Sequence, residues 1–112
     1  MDKRVQIVIG LMKNNLVQDL LPTELAGLVN LSPSRLRHLF KDEVGTSLKA
    51  YQRLIRIEKA KELIETSFLS IKQIRNKTGL ADRGGFAKQF RRIYGVTPTQ
   101  HRVRSVKTTQ IG

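Results

Sequence analysis

The sequence predicts an all-α protein of about seven helices, and three observations carry that reading. Apolar residues recur at the i, i+3, i+4 spacing of a buried helical stripe, and no stretch keeps the alternation of a strand. Ser or Asp stands ahead of several apolar runs as a helix start, and Gly45 and Gly95 stop two of them. The chain also repeats itself at a spacing of 50 residues, with caps, core positions and stop-glycines in common register.

In "KRVQIVIGLMKNNL" the stripe is Val5, Val8, Ile9, Met12 and Leu16. A second helix, "PTELAGLVN", starts at Pro22 or Thr23 and ends at Asn30 as a C-cap. In "LSPSRLRHLFKDEVG" Ser32 caps, Pro33 suits the first helical position, and Gly45 stops the helix. Its Leu36, Leu39 and Phe40 face inward together. The longest helix follows Ser47, with Leu48, Tyr51, Leu54, Ile55, Ala60, Leu63 and Ile64 on one side. After Ser70 come three shorter stretches, "IKQIRNKTG", "DRGGFAKQFRRIYG" and "TPTQHR", then a polar tail, "SVKTTQIG".

The repeat pairs Ser32 with Asp82, Leu36 with Phe86, Phe40 with Phe90, and Val44 with Tyr94. It also pairs Gly45 with Gly95, Ser47 with Thr97 and Tyr51 with His101. Upstream of the caps the offset becomes 49, pairing Leu25 with Ile74 and Leu31 with Leu80, so the second turn has gained one residue. The expected organisation is a first subdomain over 1–46, a linker helix over 47–66, a second subdomain over 67–104 and a flexible tail over 105–112.

Hydrophobic residues make up 39% of the 112, enough to form packed cores. There is no cysteine, which excludes disulfides and thiolate metal sites. No run approaches the ~20 apolar residues of a membrane span. The net charge is +12 and it is graded along the chain. Residues 1–31 hold three bases and three acids; 32–69 hold eight and five; 70–112 hold ten and one, the acid being Asp82. An evenly basic, merely solubilising surface would spread this charge, whereas concentration towards one end suggests a face for a polyanion, most often nucleic acid.

Each unit is a short helix, a tight turn and a second helix with bases on its outer face, the helix-turn-helix layout in which the second helix enters the major groove. The expected fold is therefore two helix-turn-helix subdomains joined by a long linker helix. With the apolar residues turned in, Ser34, Arg35, Arg37, His38 and Lys41 remain for solvent or DNA in the first unit. Arg83, Ala87, Lys88 and Arg91 remain in the second. Arg37 suits a bidentate guanine contact, and His38 offers a donor or acceptor to a base edge. The linker helix would span ~28 Å at 1.5 Å per residue. Adjacent major-groove faces lie ~34 Å apart, so one monomer could present two readers to the same side of a duplex.

Three stretches, "LAGLVNLSPSRLRHLFKDEVGTSLKAY", "RIEKAKELI" and "IKQIRNKTGLADRGGFAKQFRRIYGVTPTQHR", resemble the DNA-binding domain of the AraC/XylS family of bacterial transcription regulators. The resemblance runs from about residue 5 to residue 104. It implies a seven-helix, two-lobed domain that binds promoter DNA and contacts RNA polymerase as an activator. Carried over by position, the base readers are Ser34, Arg37 and His38 in the first lobe and Arg83, Gly84, Ala87 and Lys88 in the second. Members of this family often carry a separate sensing or dimerisation domain. A start at Met1 followed directly by the first helix fits either a complete short regulator or a fragment, the fragment being the preferred reading. The domain is expected to be monomeric by itself, and a full-length protein could dimerise through a further domain.

Three residues depart from the family pattern: Arg75 where alanine is usual (Ala26 in the first unit), Leu80 for phenylalanine, and His101 for tyrosine. Arg75 is expected to snorkel outward and His101 to pack as an aromatic. With Asp82 as N-cap, Arg83, Gly84 and Gly85 fill the first turn of the second reader. That bare backbone could approach phosphate, with Lys41, Gly85, Arg91 and Arg92 as phosphate contacts. Specificity would then rest on the first lobe and affinity on the second. The competing expectation is a frayed helix start that touches nothing.

No catalytic or metal constellation is legible, because the two histidines, His38 and His101, fall one per unit with no acid or nucleophile at catalytic spacing. No cofactor is expected. The expected partners are double-stranded DNA and RNA polymerase, in a bacterial cytoplasm. The alternative is a basic helical module that binds RNA or an acidic protein. Single-stranded RNA readers expose aromatics for stacking, whereas core positions or the family motif account for all six aromatics of this chain.

Overall fold

The computed structural model describes the backbone of residues 1–111 and the side chains of residues 1–106. Among these are seven helices and no strand: α1 (Lys3–Asn14), α2 (Pro22–Leu28), α3 (Pro33–Val44), α4 (Leu48–Thr66), α5 (Ile71–Thr78), α6 (Arg83–Tyr94) and α7 (Pro98–Ile111). No described helix is long and apolar enough to cross a membrane.

The helix starts are set by side chains that satisfy first-turn amides. Ser32 Oγ accepts from the Arg35 amide at 3.1 Å, and Ser47 Oγ accepts from Ala50 at 3.2 Å. At α5 the exchange is reciprocal: Ser70 Oγ accepts from the Gln73 amide, and the Ser70 amide donates to Gln73 Oε1 at 2.8 Å. Thr97 and Gln100 make the same exchange at α7. The stops are equally local. Gly45, Gly79 and Gly95 follow α3, α5 and α6 with φ of 88°, 74° and 82°, a left-handed backbone that glycine adopts without steric cost.

Packing divides the chain into two units, between Ile55 and Arg56. In the first, Val5, Val8, Met12, Leu25, Ala26, Val29, Leu36, Phe40, Leu48 and Ile55 form one buried cluster. In the second, Ile57, Ala60, Ile64, Ile74, Leu80, Phe86 and Phe90 form another. Helix α4 thus serves both cores, Leu48, Tyr51 and Ile55 packing in one and Ile57, Ala60 and Ile64 in the other. Ile57, absent from the single stripe expected of this helix, is fully buried because it opens the second set.

The repeat is visible in individual bonds. The Leu31 amide donates to the Ala26 carbonyl and the Leu80 amide to the Arg75 carbonyl, both at 2.9 Å and 49 residues apart. The Gly45 amide donates to Lys41 and the Gly95 amide to Arg91, both at 2.8 Å and 50 residues apart. Tyr51 meets Phe40 at 5.5 Å between ring centroids, and His101 meets Phe90 at 5.7 Å.

Three expectations need revision. Asn30 is not the cap of α2: Val29 is, and Asn30 follows it in the left-handed region with φ 59°. Helix α7 continues to Ile111 through most of the segment expected as a tail, because nothing in "SVKTTQI" breaks a helix; Gly112 lies outside the described residues. Phe68 is neither core nor motif but fully exposed. It sits in the short connection between α4 and α5, where its neighbour Leu69 takes the inward position.

Candidate nucleic-acid interface

In the first unit α3 follows α2 across the turn Val29–Ser32, and in the second α6 follows α5 across Gly79–Asp82. Leu36 and Phe40 anchor α3 in its core, as Phe86 and Phe90 anchor α6. Those anchors decide which side chains look out.

At about 100° per residue, Ser34, Arg37, His38 and Lys41 form one stripe opposite the anchors of α3. All four are exposed. Among the described residues Arg37, His38 and Lys41 have no hydrogen-bond or ion-pair partner, so their donors are available to an incoming acceptor. Arg35 is exposed but lies off this stripe, about 100° around the helix from Ser34.

The equivalent stripe on α6 is Gly84, Ala87, Lys88 and Arg91. Gly84, Lys88 and Arg91 are exposed and Ala87 is half-buried. The two stripes therefore differ in chemistry. On α3 the first two turns offer a hydroxyl, a guanidinium and an imidazole; on α6 they offer bare backbone, a methyl group and one ammonium. Arg83 lies to one flank of the α6 stripe, and Gly85 and Arg92 lie to the other. All three are exposed.

The paired glycines belong to the first turn of α6, with Asp82 at the N-cap. The Asp82 side chain makes no capping bond, unlike Ser32 in the first unit. A Cβ built at Gly84 meets no protein atom within 4 Å. Its lack of a side chain is therefore not required by packing.

Two further features were not read from the sequence. Arg75 does not snorkel outward as expected: it is half-buried with its Nε out of solvent, because its Nη1 finds a partner in the carbonyl of Ala81 at 2.9 Å. Ala81 is the residue by which the second turn exceeds the first, so the arginine holds a carbonyl that the first unit lacks. The Arg102 guanidinium donates to the carbonyls of Ile64, Ser67 and Leu69. These groups sit at and just beyond the end of α4, where carbonyls have no helical partner. No local sequence signal marks that role, because the acceptors lie more than 30 positions away.

A helix-turn-helix domain family matches residues 25–104. The arabinose operon regulatory protein of Escherichia coli is 35% identical over 74 residues, which are 66% of this chain and 25% of that protein. An AraC-type transcriptional regulator structure from Chromobacterium violaceum is 26% identical, with a TM-score of 0.84 over 91% of each chain. The structure of a DNA-binding transcriptional dual regulator from Escherichia coli K-12 is 27% identical, with a TM-score of 0.83 over 96% of each chain. The chain belongs to the AraC/XylS family of helix-turn-helix domains. It spans about a quarter of the length of the curated relatives it matches.

Proposed function

We propose that the chain binds double-stranded DNA in a sequence-specific manner as the reading module of a transcription regulator. The observation that carries this reading is the repeated exposed stripe on the second helix of both units, with unpaired cations and no acid in either stripe. Ser34, Arg37 and His38 are the principal base readers, with Arg35 at their flank and Lys41 on phosphate. In the second unit Gly84, Ala87 and Lys88 face the bases, with Arg83 at their flank and Gly85, Arg91 and Arg92 towards the backbone. An arginine fork matches the O6 and N7 edge of guanine, and a methyl group such as that of Ala87 suits the thymine methyl. The bare first turn of α6 supports close approach to the duplex, so selectivity falls mainly to α3 and charge-based affinity to α6.

The nineteen residues of α4 support a two-groove reading. Its ~28 Å length is commensurate with one helical repeat of B-DNA, ~34 Å. On this reading the two recognition helices occupy adjacent major grooves, and the module acts as a monomer within a larger regulator that contacts RNA polymerase. The named functions of the relatives, operon regulation among them, agree with it.

The direct test is competition between duplex DNA and RNA of equal length at matched salt. The proposal expects duplex DNA to displace RNA. Preference for RNA, or for an acidic protein over either, would replace it with the basic-module alternative.

A further inference from the structure

A cavity of about 340 Å³ opens in the second unit between the first turns of α5, α6 and α7. Lys72 and Arg75 line it from α5, Arg83 and Ala87 from α6, and Thr97 and Thr99 from the start of α7. No acid lines it. Two of its three cations sit badly for the helices that carry them, Arg75 being in the last turn of α5. Lys72 and Arg83 lie in first turns, where the helix dipole is already positive and a cation is unfavourable. None of the three helices has an acid in its first turn. Asp82, at the N-cap of α6, is the only acid in the sequence after Glu65. Arg75 Nε is buried and has no hydrogen-bond partner, while Nη1 is fixed on the Ala81 carbonyl. This concentration of positive charge is uncompensated within the cavity, and an oxyanion would compensate it.

We propose that the cavity is a phosphate seat in which Lys72, Arg75 and Arg83 together hold one backbone phosphate of the duplex. The inference rests on the duplex-binding reading and extends it to Lys72 and Arg75, which that reading leaves out. Arg75 stands where the first unit has the buried Ala26, so the seat belongs to the second unit alone. Arg83 then serves the backbone rather than a base, in keeping with its place off the α6 stripe. A fixed phosphate beside the start of α6 would set how deeply the bare Gly84 turn enters the groove.

The experiment measures affinity for a duplex of arbitrary sequence across a salt series, for the wild type and for Lys72→Ala, Arg75→Gln and Arg75→Lys. Lys72 is exposed and unpaired among the described residues, so its loss leaves the turn before α6 intact. The seat predicts that Lys72→Ala and Arg75→Gln each weaken every duplex alike, by about five- to tenfold. Each should lower the slope of log affinity against log salt, by at most about 0.9 because the three cations share one phosphate contact. Arg75→Lys keeps the slope. An unchanged slope for Lys72→Ala overturns the proposal, even if Arg75→Gln weakens binding, because the latter effect would then arise from the turn. A second arm titrates inorganic phosphate while amide shifts are followed. If the wild type ignores duplex DNA but phosphate shifts Lys72, Arg83 and Thr99, an oxyanion site stands, while its duplex occupant and the DNA reading both fall. If neither ligand registers, both fall.

Discussion

His101 Nε2 lies 2.8 Å from Glu65 Oε1, joining α7 to α4 across 36 residues. The same carboxylate receives Lys61 Nζ at 2.7 Å. The hydrogen bond from Lys61, then that from His101, holds the Glu65 carboxyl below its ordinary value of 4.5. A carboxylate whose folded value is depressed contributes stability that is complete above the unfolded value and lost as pH falls through the folded one. The melting temperature of Glu65→Gln should therefore lie below that of the wild type near neutrality. The gap should close on acidification below about pH 4.5. A gap that persists unchanged in acid would contradict this.

Arg102 should be worth more to stability than a surface arginine usually is. Its guanidinium supplies the carbonyls of Ile64, Ser67 and Leu69 at the end of α4. Hydrogen bonds to a charged group contribute ~1.5–3 kcal/mol each, and removing the donor strands the acceptors. Arg102→Ala is expected to cost about 2–4 kcal/mol in urea unfolding. Arg102→Lys should recover only part, because an ammonium cannot fork across three carbonyls.

The glycines should separate into two classes. At Gly45, φ is 88°, so alanine is strained although no atom obstructs its Cβ. The expected loss for Gly45→Ala is roughly 1–2 kcal/mol. Gly84 lies in ordinary helical backbone with open space beside it, and Gly84→Ala should stabilise by up to about 1 kcal/mol. Adding Gly85→Ala to it should weaken duplex binding even as the melting temperature rises. Unchanged or tighter binding would mean that the turn approaches nothing.

On the proposed division of labour, α3 and α6 should fail differently. Arg37→Ala is expected to cost about 1–3 kcal/mol on the preferred site and to relax selection at one base pair. Arg92→Ala should weaken all duplexes alike. Binding-site selection with each variant measures both outcomes. If Arg37→Ala weakened every sequence equally, its assignment to a base would be wrong.

What the sequence disclosed about this fold was local. Ser32, Ser70, Gly45 and Gly95 act on amides and carbonyls within four residues, so a cap or stop can be read where it stands. The Leu36–Phe40 and Phe86–Phe90 anchors follow from helical spacing alone, and so does the side of each helix left exposed. What stayed hidden involved distant partners or one element with two duties. Ile57 was missed because α4 serves two cores. Glu65–His101 and the three acceptors of Arg102 pair residues more than 30 positions apart. Phe68 and Leu69 are adjacent and both apolar, and only the backbone of the turn decides which one is buried. Arg75 illustrates both limits: its departure from alanine was visible, but its bond to the inserted Ala81 was not.

Whether α3 and α6 engage one duplex together, as proposed, can be decided by a hydroxyl-radical footprint of the chain on a selected site. Joint reading should give two protected patches on the same face of the DNA, with centres about 10 base pairs apart. A single patch, or two patches on opposite faces, would contradict it.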